Sequence, residues 1–213
     1  MTENWIWLPD FASDLSMWED DLVGVSPAAD HSFVQYTEMA EHLESIFDLK
    51  GLSKATHVVG WGLGAFALLW SADKRPKGQK WILLSPFADL GSEDSNWTSQ
   101  NLLFMARQAA STVEPVVNAF GELIQDEFGD WQEDWLNTAK KMPPKSISEG
   151  LFFLAQHRVE NVLPVDANDV QVLYGRLDTA VPPSVTLELK DFLPGVPFKE
   201  RPKAGHWPPM LLF

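Results

Sequence analysis

Gly60-Trp61-Gly62-Leu63-Gly64 is the stretch on which the reading of this chain turns. It follows the short apolar run Thr56-His57-Val58-Val59 and opens a longer one, Ala65-Phe66-Ala67-Leu68-Leu69-Trp70. Strand-forming residues, a glycine-rich turn and a helix-forming run predict a strand–turn–helix. That context suits a sharp turn of the form G-x-S-x-G, which presents a nucleophilic hydroxyl at the end of a sheet. The spacing is met, but the central residue is Gly62 and carries no hydroxyl.

Working outward, Trp5-Ile6-Trp7-Leu8 reads as a buried first strand closed by Pro9. Ser16 is placed to cap a short helix through Leu22, with Glu19 at the capping-box position. Ser32 to Tyr36 reads as a strand, and Thr37 as the cap of a helix through Met39, Leu43, Ile46 and Phe47 that Gly51 ends. Lys80 to Leu84 is another buried strand, stopped by Ser85-Pro86. Strands alternating with helices imply a parallel sheet covered on both faces.

Between residues 96 and 163 the alternation stops. Leu102, Leu103, Ala106, Ala110, Val113, Val117, Phe120 and Ile124 recur at helical spacing, with a kink expected at Pro115. Trp131 and Trp135 mark a second helix, and Ser146 is placed to cap a third through Leu151, Leu154 and Ala155. The rhythm then returns, with a strand at Val170–Tyr174, a helix from Pro183 to Leu193 and a last strand at Val196–Glu200. The pattern divides the chain into an α/β core, residues 1–95 and 164–213, and a helical lid inserted at 96–163.

Composition narrows the function classes. At 213 residues and 45% apolar content the chain can bury a full core. A formal net charge of −14 repels phosphate backbones, so no nucleic-acid partner is expected. No apolar run approaches the roughly 20 residues of a membrane span, so no membrane partner is expected either. With no cysteine there is no disulfide framework, thiolate metal site or thiol nucleophile. His31, His42, His57 and His157 show no metal-ligand spacing, so neither metal nor cofactor is expected. Met1-Thr2-Glu3-Asn4 lacks the basic start of a signal peptide, and the expected location is cytoplasmic.

Two later pieces complete a constellation. Gly175-Arg176-Leu177-Asp178-Thr179-Ala180-Val181-Pro182 follows one predicted strand, and Lys203-Ala204-Gly205-His206 follows the last. Elbow, acid and histidine therefore appear in that order, each at the C-terminal end of a strand, where open parallel sheets place their sites. In these features the chain resembles the α/β-hydrolase superfamily. Within it, Gly60-Trp61-Gly62-Leu63-Gly64, the run Leu173 to Pro182, Lys203 to His206 with Pro208, and Trp7 to Phe11 with Trp18 resemble motifs of the pimeloyl-ACP methyl ester carboxylesterases of biotin synthesis.

The resemblance implies an α/β-hydrolase fold, mainly parallel, and a carboxylesterase-like activity on short acyl esters, with the acyl group linked to a carrier protein in the resembled enzymes. It implies that Gly62 sits at the nucleophile position and Asp178 orients His206. His206 would be general base and then acid, and the backbone N–H groups of Phe11 and Leu63 would form the oxyanion hole. Trp61 falls among the substrate-binding residues. Lys140, Lys141, Lys145 and Arg158 are candidates to receive an acidic acyl carrier protein, or else are a solvated helix end.

Three departures separate the chain from that pattern. Gly62 lacks the hydroxyl, which leads us to expect an inactive or impaired esterase or, alternatively, a non-catalytic acyl-binding or interaction protein. A water held in the space left by Gly62 and activated by His206 is a further route. Asp10 replaces a small residue beside the oxyanion loop, where an inward carboxylate would oppose a developing oxyanion. Only seven residues follow His206, and the helix usual at that point is not expected.

Overall fold

The computed structural model describes residues 2–92, 95–123 and 131–213. Among them, six parallel strands form one sheet in the order β2-β1-β3-β4-β5-β6. The strands are β1 (Asn4–Leu8), β2 (Asp30–Phe33), β3 (His57–Trp61), β4 (Lys80–Leu84), β5 (Val170–Gly175) and β6 (Phe198–Arg201). The four central strands, rich in Trp, Val, Ile and Leu, are buried along most of their length, as expected for strands covered on both faces. The edge strands β2 and β6 carry no fully buried residue.

The chain leaves β1 for β2 on one side and returns to β3 on the other. That reversal opens a crevice at the C-terminal ends of β1 and β3, the usual place for a site in such sheets. Leu8 is in register with Gly60, so the residues just beyond them, Asp10 and Gly62, arrive at the same end of the sheet.

The helices are α1 (Glu19–Leu22), α2 (Tyr36–Ala40), α3 (Leu63–Trp70), α4 (Ser99–Ala109), α5 (Glu114–Leu123), α6 (Trp131–Ala139), α7 (Pro144–Gln156), α8 (Pro183–Leu187) and α9 (Pro208–Leu212). Helix α3 follows the elbow directly and buries every residue except Trp70. Helices α4 to α7 lie between β4 and β5 in the chain, where the sequence predicts the helical insertion. Within it, Ser148 Oγ on α7 donates to the Ala106 carbonyl of α4 at 2.9 Å.

Several boundaries differ from the sequence reading. The second strand ends at Phe33, and Tyr36 begins a helix instead of closing the strand. The single helix expected from Thr37 to Phe47 is α2 followed by 3₁₀ turns, with Ser45 outside helical geometry. Ser16 lies inside a 3₁₀ turn, not at a cap. Pro115 separates two helices instead of kinking one, since a proline in the first turn of α5 costs no hydrogen bond. Helix α7 begins at Pro144 for the same reason, ahead of Ser146. The last strand is shifted to Phe198–Arg201. A short helix does follow His206, with Arg201 donating to the carbonyls of Leu211 and Leu212. Ile124 lies outside the described residues.

Candidate active site

The site begins with the elbow. Gly62 has φ +48° and ψ −110°, a backbone conformation that side-chain-bearing residues adopt only under strain. Its N–H donates to the Leu84 carbonyl at 2.9 Å, and its carbonyl receives the Phe66 N–H that starts α3. Two positions on, Gly64 N–H donates to the Pro9 carbonyl at 3.1 Å, and a Cβ on Gly64 would lie 2.7 Å from that oxygen. The glycines thus bring the β1 loop against the elbow.

That approach delivers Asp10. Its carboxylate points inward and is almost wholly buried. The Leu63 N–H donates to Asp10 Oδ1 at 2.5 Å. His206 Nε2 lies 2.7 Å from Asp10 Oδ2. A Cβ built on Gly62 would sit 2.0 Å from Oδ1 and 2.1 Å from Cγ of Asp10. The space of an elbow side chain is therefore filled by a carboxylate from the neighbouring loop. The water route fails for this reason, because the volume that Gly62 vacates belongs to Asp10.

Loops after β4, β5 and β6 build the opposite wall. His206 Nδ1 lies 2.9 Å from Asp178 Oδ2, which also accepts from Ser85 Oγ at 2.7 Å. Asp178 Oδ1 accepts the Val181 N–H at 2.8 Å. Ser85, read from sequence as a strand terminator, is buried at φ +45° and holds the acid in place. A serine just past a buried strand was the available signal, but the sequence does not show that Asp178 lies opposite it.

His206 is fully buried between two carboxylates. Burial works against its charged form. The charge of Asp178 and the hydrogen bonds and charge of Asp10 and Asp178 outweigh burial and push its pKa well above the ordinary histidine value. The two carboxylates thus favour the imidazolium, which donates through both nitrogens. In this state it has no lone pair with which to accept a proton.

Trp61, expected near substrate, lies behind the imidazole. Its Nε1 donates to the His206 carbonyl at 3.0 Å, and its ring packs with Trp18 and Trp207. A residue following Gly60 on a strand buried on both sides has its side chain taken up by packing. Phe11 sits beside Asp10 with its ring against Tyr36 and Phe120. Its loop is pinned from the helical segment, because Trp135 Nε1 donates to Ser13 Oγ, which donates to the Phe11 carbonyl, each at 2.9 Å. Sequence reading missed this tie.

Asp10 lines a small cavity together with Phe11, Phe87, Met105, Phe120, Leu151 and Val181. Its free volume is about 20 Å³, room for about one water. The basic residues lie elsewhere. Lys140 pairs with Glu114 at 3.5 Å, Lys145 with Glu149 at 3.6 Å and Arg158 with Glu160 at 2.6 Å, while Lys141 is exposed. Among the described residues no histidine–carboxylate cluster is suited to a metal ion, and no helix is long and apolar enough to cross a membrane.

An all-parallel sheet with an elbow, an acid and a histidine at its C-terminal edge defines a hydrolase-type scaffold. The family model for the alpha/beta hydrolase fold matches residues 21–211, and the chain belongs to that family. Among solved structures it is similar to a thermophilic esterase from Thermogutta terrifontis, at 16% identity and TM-score 0.74 over 99% of this chain and 85% of that one. An esterase from Exiguobacterium antarcticum gives 12% identity and TM-score 0.71 over 96% and 85%. The enol-lactonase from Burkholderia xenovorans LB400 gives 13% and 0.69 over 97% and 85%. No curated protein sequence matches it significantly.

Proposed function

We propose that this chain is a carboxylesterase-like protein, related in its site to the pimeloyl-ACP methyl ester esterases, in which acyl-serine chemistry has been lost. Asp178 and His206 are its acid–histidine pair, Leu63 N–H its oxyanion donor, and the apolar cavity beside Asp10 the acyl end of the site. Helices α4 to α7 act as the lid. The observation that carries the reading is the Asp10 carboxylate lying where an elbow side chain would be, on the donor that would otherwise hold an oxyanion. In comparable triads, loss of the serine alone costs about 10⁶ in turnover. The ligand class is a short acyl group, presented as an ester or on a carrier protein.

The reading is tested by rebuilding the site. The wild type and Gly62→Ser should both fail to react with a fluorophosphonate probe and fail to hydrolyse p-nitrophenyl butyrate. The single change leaves Asp10 against the new side chain. The double variant Asp10→Gly/Gly62→Ser should label and turn over. A folded double variant that does neither would remove the esterase reading.

A further inference from the structure

We propose that the site has a nucleophile, the Asp10 carboxylate, and that it acts on acyl thioesters. The proposal rests on the site placement given above but not on any alkyl-esterase activity. Its geometric basis is that Asp10 reaches the elbow from another loop. Its Cγ lies 2.1 Å from the Cβ that Gly62 lacks, so its oxygens occupy the region from which an elbow residue attacks. One oxygen is anchored by Leu63 N–H at the start of α3, and the carboxylate borders the apolar cavity. Carboxylates are established covalent nucleophiles when so positioned. Gly62 is then required, since any side chain there would collide with the nucleophile.

Leaving-group chemistry selects the substrate. A carboxylate must expel a group that is a stronger base than itself. A thiol of pKa about 8.5 is the weaker base of the two candidates, several decades closer to a carboxylate than an alcohol is. Thioesters lie within reach and alkyl esters do not. The proton inventory agrees. Asp10 Oδ2 attacks the thioester carbonyl, the C–S bond breaks, and the His206 imidazolium protonates the departing thiolate. The products of this step are a free thiol, a mixed anhydride on Asp10 and neutral His206.

The anhydride carries no charge, so one of the two carboxylates that hold a proton on His206 is gone. His206, still oriented by Asp178, is now the base that the second step needs. It takes a proton from water as the water oxygen attacks the anhydride. The carboxylic acid product leaves as its anion, Asp10 regains its charge, His206 ends protonated, and one further proton goes to solvent. The sum is thioester plus water giving carboxylate, thiol and a proton. The mostly apolar lining favours an apolar acyl group, which the cavity, with room for about one water, admits only by widening around it.

The test uses the wild-type chain and S-butyryl-N-acetylcysteamine, with thiol release read by a disulfide reagent. The protein contributes no background, because it has no cysteine. Wild type should release thiol well above buffer and leave methyl butyrate intact. Asp10→Asn should lose about 10³-fold or more, as losses of a covalent nucleophile do. Hydroxylamine added during turnover should trap the anhydride, giving butyryl hydroxamate where it attacks the acyl carbon and an Asp10 hydroxamate where it attacks the aspartyl carbon. Both are found by mass spectrometry against a buffer control, a readout that does not depend on any variant folding. Thiol release no faster than buffer, or turnover with neither hydroxamate above the control, overturns the proposal. If Asp10→Gly/Gly62→Ser cleaves esters while wild type spares the thioester, the site reading survives and the nucleophile does not. If both fail, both fall.

Discussion

The two walls of the site stand differently against the pattern of an acyl-serine hydrolase. On the β5–β6 side, Asp178 is fixed by two donors, Ser85 Oγ and the Val181 N–H, and pairs with His206. On the β1–β3 side, two positions depart from the pattern of an acyl-serine hydrolase, Gly62 by carrying no side chain and Asp10 by carrying a carboxylate. The two departures fit each other, because the carboxylate fills the volume that the glycine leaves. Measured against the acyl-serine pattern, the first wall is intact and the second is rebuilt around a charge, which teaches that Asp10 and Gly62 should be treated as one coupled feature.

The largest expected effect tests the intact wall. In the Asp10→Gly/Gly62→Ser background, Asp178→Asn should lower ester turnover by about 10⁴, because the imidazole loses the partner that sets its tautomer. A loss below tenfold would mean that the Asp178–His206 pair is structural only, and the contrast between the walls would disappear. Next comes the coupling within the rebuilt wall. Gly62→Ala should destabilise by strain at positive φ, about 1–3 kcal/mol, plus the collision with Asp10. In the Asp10→Gly background only the strain should remain. A double-mutant cycle by urea unfolding should give a coupling of about 0.5–3 kcal/mol, the range for residues in contact. Additive costs would show that the two changes are independent.

The sheet and both ends of the intact wall were legible because their signals are local. Buried strands announce themselves as apolar runs, and Asp178 lies three residues past one, whereas His206 follows the exposed edge strand β6 and is marked by the Lys203-Ala204-Gly205 run before it. The turn at Gly62 is legible from its spacing and from the strand-forming and helix-forming runs on either side of it. The direction of Asp10 was not legible, since sequence states that a carboxylate is present but not that Gly64 packs against Pro9 and turns it inward. Ser85 was unreadable for a related reason, as its meaning depends on a residue 93 positions away. Trp61 misled because a large aromatic beside a motif reads as a contact, while strand burial assigns it to the core. The helix starts at Pro115 and Pro144 were misjudged because proline's tolerance in a first turn competes with its role as a breaker.

Proton linkage tests the rebuilt wall more gently. The folded-state pKa of His206 is raised above its unfolded value of about 6.5. Its contribution to stability is therefore fully present below about pH 6.5 and is lost as pH rises through the folded value. Wild-type stability should decline above that point at up to about 1.4 kcal/mol per pH unit. Asp10→Asn removes one of the two charges responsible, so the decline should end at lower pH, and the His206 ring signals in NMR should titrate earlier. A midpoint unmoved by Asp10→Asn would mean that Asp178 alone holds the proton, and the carboxylate at the elbow would have no electrostatic role.

The smallest effects belong to the basic cluster, which sharpens the comparison by standing outside both walls. Lys145 and Glu149 are exposed neighbours one helical turn apart at 3.6 Å, and such pairs contribute only about 0.3–0.5 kcal/mol. Lys145→Ala should shift urea unfolding by no more than that. Lys140, Lys145 and Arg158 each face a glutamate, so little net positive field projects from this face of an otherwise acidic molecule. Lys141 is the residue through which docking of an acidic carrier would be read. Lys141→Glu should leave stability within about 0.5 kcal/mol, as surface changes do, while weakening carrier association several-fold at low salt and much less at high salt, where screening shortens the reach of the charge. The measurement is fluorescence anisotropy of labelled acyl carrier protein at two salt concentrations. Equal affinities for wild type and variant at both would make the cluster a solvated helix end and leave the acyl group to arrive without a protein carrier.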